Sequence, residues 1–184
     1  MSQDVPLKRM PERDPFLFAV CALGIAQITA WGTSFYCLGV LAGPIAADTG
    51  WPLSLIYFGF TLALLAMGLV STYTGRAIDR HGARGVMSAG TLLVSAGLVA
   101  LSAVRSEAAY LTAWVFLGIG MRLCLYDAAF AALVQVLPSR GRRAISYLTL
   151  FGAFASTLFW VVGHFLVEGL GCRQTLAFSL LEYS

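Results

Sequence analysis

Arg122 and Asp127 are two charges five residues apart in an otherwise uncharged apolar stretch, residues 108–139. A charge at the centre of a bilayer costs about 2.5–3.5 kcal/mol on insertion scales, so both side chains must face protein or a water-filled cavity. On an unbroken helix, five residues at 100° each set them about 140° apart, so they do not share a face, although the long arginine can reach towards the carboxylate. Arg122 can hold an anionic solute such as a carboxylate, and Asp127 can take up and release a coupling proton. A static pair that helps helices pack is the alternative. Further polar groups lie at depth in the first apolar run: Gln27, Thr29, Trp31, Thr33, Ser34 and Tyr36. Cys21, Cys37, Cys124 and Cys172 are scattered without CxxC or Cys/His spacing, and read as packing residues rather than metal ligands. His164 stands alone and reads as an interfacial or packing histidine. No nucleophile–base pair or phosphate loop is visible, so the reading is not an enzyme and implies no cofactor.

The elements that must position these residues follow from composition. Of 184 residues, 59% are hydrophobic and 11% charged, against roughly 25% charged in soluble domains. That is too few charges to cover a soluble surface, and too much apolar content for disorder. A basic stripe with interleaved aromatics is missing, which excludes a nucleic-acid reader. A spanning helix needs about 20 mostly apolar residues. Five apolar runs meet that need: residues 15–47, 52–75, 85–104, 108–137 and 144–167. They lack the alternation of barrel strands and predict helices. Gly39, Gly43 and Pro44 are expected to bend the outer end of the first. Residues 1–14 form a polar tail, and residues 174–184 read as the opening of a truncated sixth span.

Lysine and arginine alternate by side. Lys8, Arg9, Arg13, Arg76, Arg80, Arg84, Arg140, Arg142 and Arg143 fall on one side, and Arg105 and Arg173 on the other. Positive charge is retained inside, which puts the N-terminus and the loops at 76–84 and 138–143 in the cytoplasm.

One of these loops carries a pattern: Gly75-Arg76-Ala77-Ile78-Asp79-Arg80-His81-Gly82-Ala83-Arg84-Gly85. Gly75 lets a neighbouring helix approach, Asp79 can accept from N–H groups at a helix N-terminus, and Gly82 supplies a tight turn. The segment resembles the signature loop of the major facilitator superfamily, G-x-x-x-D-R-x-G-R-[RK]. Gly75, Asp79, Arg80, Gly82 and Arg84 match, and Ala83 replaces one basic residue. The resemblance covers the first five-and-a-bit of the family's twelve helices. It implies that the loop carboxylate clamps the N-terminal half to the C-terminal half and favours an outward-open state. It also implies that the first and fourth helices are cavity-lining counterparts in two inverted three-helix repeats, making Tyr36, Tyr126 and Gln27 lining candidates beside Arg122 and Asp127. Leu170-Gly171-Cys172-Arg173 resembles a Gly-Trp-Arg turn common in the family. Leu125-Tyr126-Asp127-Ala128-Ala129-Phe130, with Asp48-Thr49-Gly50-Trp51, is similar to the monocarboxylate-porter-like branch. Trp114 stands where a fourth-helix arginine signature needs Arg, and no Gly-Pro signature occurs at residues 160–164, which points away from drug/proton antiport.

The expected fold is therefore an all-α polytopic membrane helix bundle, an incomplete N-terminal half of the family fold, in the plasma (inner) membrane. The expected function is transport of a small solute by alternating access. The chain is expected to be a truncated copy, not competent alone, with residues 181–184 a tail read out of frame. A small membrane assembly protein, working as a homo- or hetero-oligomeric half-transporter, is the alternative. The expected partners are the bilayer, a small solute with an anion as one candidate, protons, and a second copy or the missing C-terminal half.

Overall fold

The computed structural model describes residues 15–170. The tail at 1–14, the turn residues 171–173 and the sixth-span opening at 174–184 lie outside the described residues, as does the side chain of His164. Among the described residues every regular element is helical: α1 (Pro15–Trp31), a π segment (Gly32–Tyr36), α2 (Cys37–Thr49), α3 (Leu53–Leu69), α4 (Ser71–His81), α5 (Ala83–Ala103), α6 (Glu107–Cys124), α7 (Tyr126–Val136) and α8 (Gly141–Leu170).

The first apolar run is one continuous stretch, Phe16–Thr49, whose 34 residues reach roughly 50 Å at 1.5 Å per residue. That exceeds the hydrocarbon thickness of about 30 Å, so this helix tilts or projects. Its irregularity lies deeper than residues 39–44. Thr33 Oγ1 donates to the Thr29 carbonyl at 2.8 Å, and Ser34 Oγ donates to the Ala30 carbonyl. Hydroxyls returned to the i−4 carbonyl compete with the helical ladder, which widens here into the π turn. Gly50 ends α2 in a left-handed conformation at φ +73°, its N–H donating to Ala46.

Two spans depart from the sequence expectation. The second does not stop at residue 75: it bends by 51° at Val70 and continues as α4 to His81. Gly68 and Ser71 flank the bend, a pairing that gives helices room to kink. The presumed loop at 75–81 is therefore helix, and the turn is confined to Gly82 at φ +79° and ψ 152°. The fourth span is not one helix either. It breaks at Leu125, whose φ of −77° and ψ of −163° are extended, into α6 and α7. Phe16–Thr49, Ala83–Ala103 and Glu107–Val136 are long and apolar enough to cross a membrane, and the bent pair α3–α4 makes up to four. The fifth apolar run lies within α8.

At the centre α6 packs between α3 and α5, and α1 packs on α8. Small residues let these backbones meet, as membrane helices require in the absence of a hydrophobic drive. A methyl group added at Gly90 would lie 2.6 Å from Leu123 Cβ, and one at Gly120 would lie 2.9 Å from Val94. At Gly118 it would overlap the Ala63 backbone. Gly118 thus admits α3 and Gly120 admits α5. Trp114 is buried against Gly59, Phe60 and Tyr110, and fills with apolar surface the position where the fourth-helix signature has arginine.

Candidate functional site

The break at Leu125 decides how Arg122 and Asp127 meet. Arg122 is in the last turn of α6 and Asp127 in the first turn of α7. Because the helix is interrupted between them, the 140° separation of a continuous helix does not apply. Arg122 Nη1 forms an ion pair with Asp127 Oδ2. Its Nη2 donates to Ser71 Oγ at 2.6 Å. The first N–H groups of α7 and its dipole favour an anion at Asp127. Ser71 opens α4, directly after the bend at Val70. One guanidinium therefore ties the bend of the second span to the break of the fourth. The arginine side chain is 21% exposed and the aspartate 59%. The buried Arg122 Nε has no hydrogen-bond partner.

The same break holds Gln27. Ending α6 at Cys124 frees that residue's carbonyl, and Gln27 Nε2 donates to it at 2.9 Å. Gln27 is 1% exposed, and its Oε1 is left without a partner. It lines a groove of about 330 Å³ between α1 and α5, with Ala22, Ile25, Ala26, Met87 and Thr91 among its walls.

Tyr126, directly after the break, stacks on Phe130 with ring centroids 5.1 Å apart and lies 4.9 Å from Trp31. Its hydroxyl reaches the Thr149 carbonyl on α8 at 3.5 Å. Tyr36 ends the π segment and packs on Trp31 at 6.2 Å and Phe35 at 5.7 Å. Trp31 thus joins the two candidate tyrosines. Gln27, Tyr36, Tyr126, Arg122 and Asp127 all gather around the interruptions of the first and fourth spans. Sequence reasoning missed Ser71, a lone hydroxyl with no spacing signal, and gave Trp31 no special place.

The signature segment runs along the last turns of α4 and through the turn into α5. Asp79, Arg80 and Arg84 are exposed, and no hydrogen bond or ion pair to Asp79 is formed among the described residues. The N-terminus of α5 is instead met by Gln135 of α7, whose Oε1 accepts from the Ala83 N–H at 3.2 Å. Asp79 lies on α4, before the turn, with its side chain exposed. Among the described residues, a methyl group added at Gly75 would meet nothing within 4 Å. Gly82 does form the turn, at a φ that only glycine adopts without strain.

Long apolar helices, interrupted spans and an ion pair at the interruptions define a polytopic α-helical membrane protein. The model of the Major Facilitator Superfamily matches residues 16–181, so the chain belongs to that family of membrane transporters. It is 26% identical over 151 residues to proteins named "Multidrug resistance protein MdtL" from Escherichia coli O45:K1 (strain S88) and O81 (strain ED1a). The match covers 82% of this chain and 38% of each relative's length.

Proposed function

We propose that the chain is the N-terminal half of a secondary transporter that moves a small organic solute by alternating access, with Arg122 and Asp127 at its solute or coupling site. The ion pair at matched interruptions of two apolar spans carries this reading. An aspartate within an apolar span and with more than half of its side chain exposed is ill-suited to lipid, and an aqueous pathway resolves the conflict. Arg122 is already held by Asp127 and Ser71, so an anionic solute has to displace a carboxylate to reach it. Trp31, Phe35, Tyr36, Tyr126 and Phe130 form an aromatic wall next to the pair. That wall suits a solute with aromatic surface, in keeping with relatives named for multidrug resistance.

The chain crosses the membrane five times in this reading, with its N-terminus in the cytoplasm. Packing of the described residues leaves a flank of α1 on which a further span fits. If spans one and four exchange, two and five exchange, and three and six exchange, the contact of α6 with α3 maps onto that of α1 with α8. The contact of α6 with α5 then maps onto α1 and a sixth span. The groove beside Gln27 lies on that flank of α1. The same open flank favours, as a second reading, a half-transporter that assembles with a separate chain. A defined crosslinked dimer in native membranes supports assembly.

The test of the first reading is uptake by a complete transporter carrying this chain as its N-terminal half. Arg122→Gln and Asp127→Asn are each expected to abolish or strongly reduce uptake. Unchanged uptake in both variants removes the site.

A further inference from the structure

Among the described residues three interruptions occur in three spans: the π segment at 32–36, the bend at Val70 and the break at Leu125. Each is linked to another by a side chain. Gln27, one turn before the π segment, holds the Cys124 carbonyl exposed by the break. Tyr126, just past the break, lies on Trp31, just before the π segment. Arg122 joins the break to the bend through Asp127 and Ser71. The carboxylate is 59% exposed, so a competing ligand can reach it.

We propose that Ser71 is a positioning residue that holds Arg122 on Asp127 and thereby latches α4 to α7. The proposal rests on the reading of the pair as the solute or coupling site. A ligand that engages Asp127 withdraws one of the two anchors of the guanidinium. Ser71 alone then holds Arg122, a neutral hydroxyl against a cation, and α4 and α7 are released to pivot about Val70 and Leu125. Two half-helices that begin at the same side-chain cluster then move together, which couples occupancy of the site to the cytoplasmic ends of the second and fourth spans. The threonine hydroxyl preserves the anchor, and a lysine at 122 keeps the charge but cannot grip both partners.

Cys124 reports the latch. It is buried at the break, and thiol alkylation requires water at the sulfur. In the full chain in native membranes, N-ethylmaleimide labelling of Cys124 is followed by mass spectrometry, with Cys37 of α2 as the folding control. Ser71→Ala and Arg122→Gln are expected to raise labelling of Cys124 several-fold with Cys37 unchanged, and Ser71→Thr to keep the wild-type level. Ser71→Ala labelling at the wild-type level, or Ser71→Thr labelling like alanine, overturns the proposal. If Ser71→Ala unfolds the chain, seen as a parallel rise at Cys37, Arg122→Lys decides: a several-fold rise at Cys124 alone supports the latch, and no rise overturns it. Uptake by the complete transporter separates the two levels. Uptake lost in Arg122→Gln with Cys124 still protected overturns the latch and leaves the site. Cys124 exposed with uptake intact upholds the latch and overturns the site.

Discussion

Removing either member of the Arg122–Asp127 pair leaves a different residue behind. Asp127→Asn leaves a cation with a partly buried guanidinium, an unpartnered Nε and one serine hydroxyl. Arg122→Gln leaves an exposed carboxylate on a helix N-terminus, which the dipole still favours. Asp127→Asn is therefore expected to lower the melting temperature in detergent more than Arg122→Gln, and the reverse order would contradict this account of the pair. Gly118 gives a sharper steric test. Any side chain there strikes the Ala63 backbone, which cannot rotate away. Gly118→Ala is expected to cost about 1–3 kcal/mol, read as a lower melting temperature, whereas Gly68→Ala, with open space around it, is expected to be tolerated. The two charges were legible from sequence because an apolar run makes any charge conspicuous. Their pairing was not, because Leu125 breaks the helix without a proline or glycine to announce it. Ser71 was invisible because a single hydroxyl in an apolar run carries no spacing information.

Among the elements, the turn between α4 and α5 shows how little sequence is needed to set a boundary and how much to set a cap. Gly82 was readable as a turn, and it holds φ +79° and ψ 152°. Gly82→Ala is expected to cost about 1–3 kcal/mol, because that backbone region is almost closed to other residues. The cap on α5 comes from Gln135, 52 residues further along, and pairing across that distance leaves no local trace. Gln135→Leu is expected to speed hydrogen exchange at the Ala83 amide roughly fivefold, equivalent to the loss of a hydrogen bond worth about 1 kcal/mol. Unchanged exchange would mean that the bond does not hold the helix start. The helical character of the apolar runs was legible, since hydrophobic length is a strong signal. The bend at Val70 and the π segment were not, since both arise from hydroxyl and glycine neighbours competing with the helical ladder.

For the whole molecule, membrane character and family were legible from charge content and the signature segment, and the family match over residues 16–181 agrees. The proposed sidedness rests on the placement of the arginines. A reporter fused at Arg142 is expected to read cytoplasmic and one at Arg105 external, and the same side for both would undo the five-crossing arrangement. The central claim is that the cluster around Arg122, Tyr126 and Tyr36 lines an aqueous pathway while the outer face of α5 meets lipid. Leu92, 72% exposed on α5, is the lipid-facing counterpart. The direct measurement is labelling of single cysteines placed at positions 36, 126 and 92 with a hydrophilic, charged thiol reagent in intact membranes. Positions 36 and 126 are expected to react, and position 92 to stay inert. Inert cysteines at 36 and 126 beside a reactive one at 92 would contradict the account.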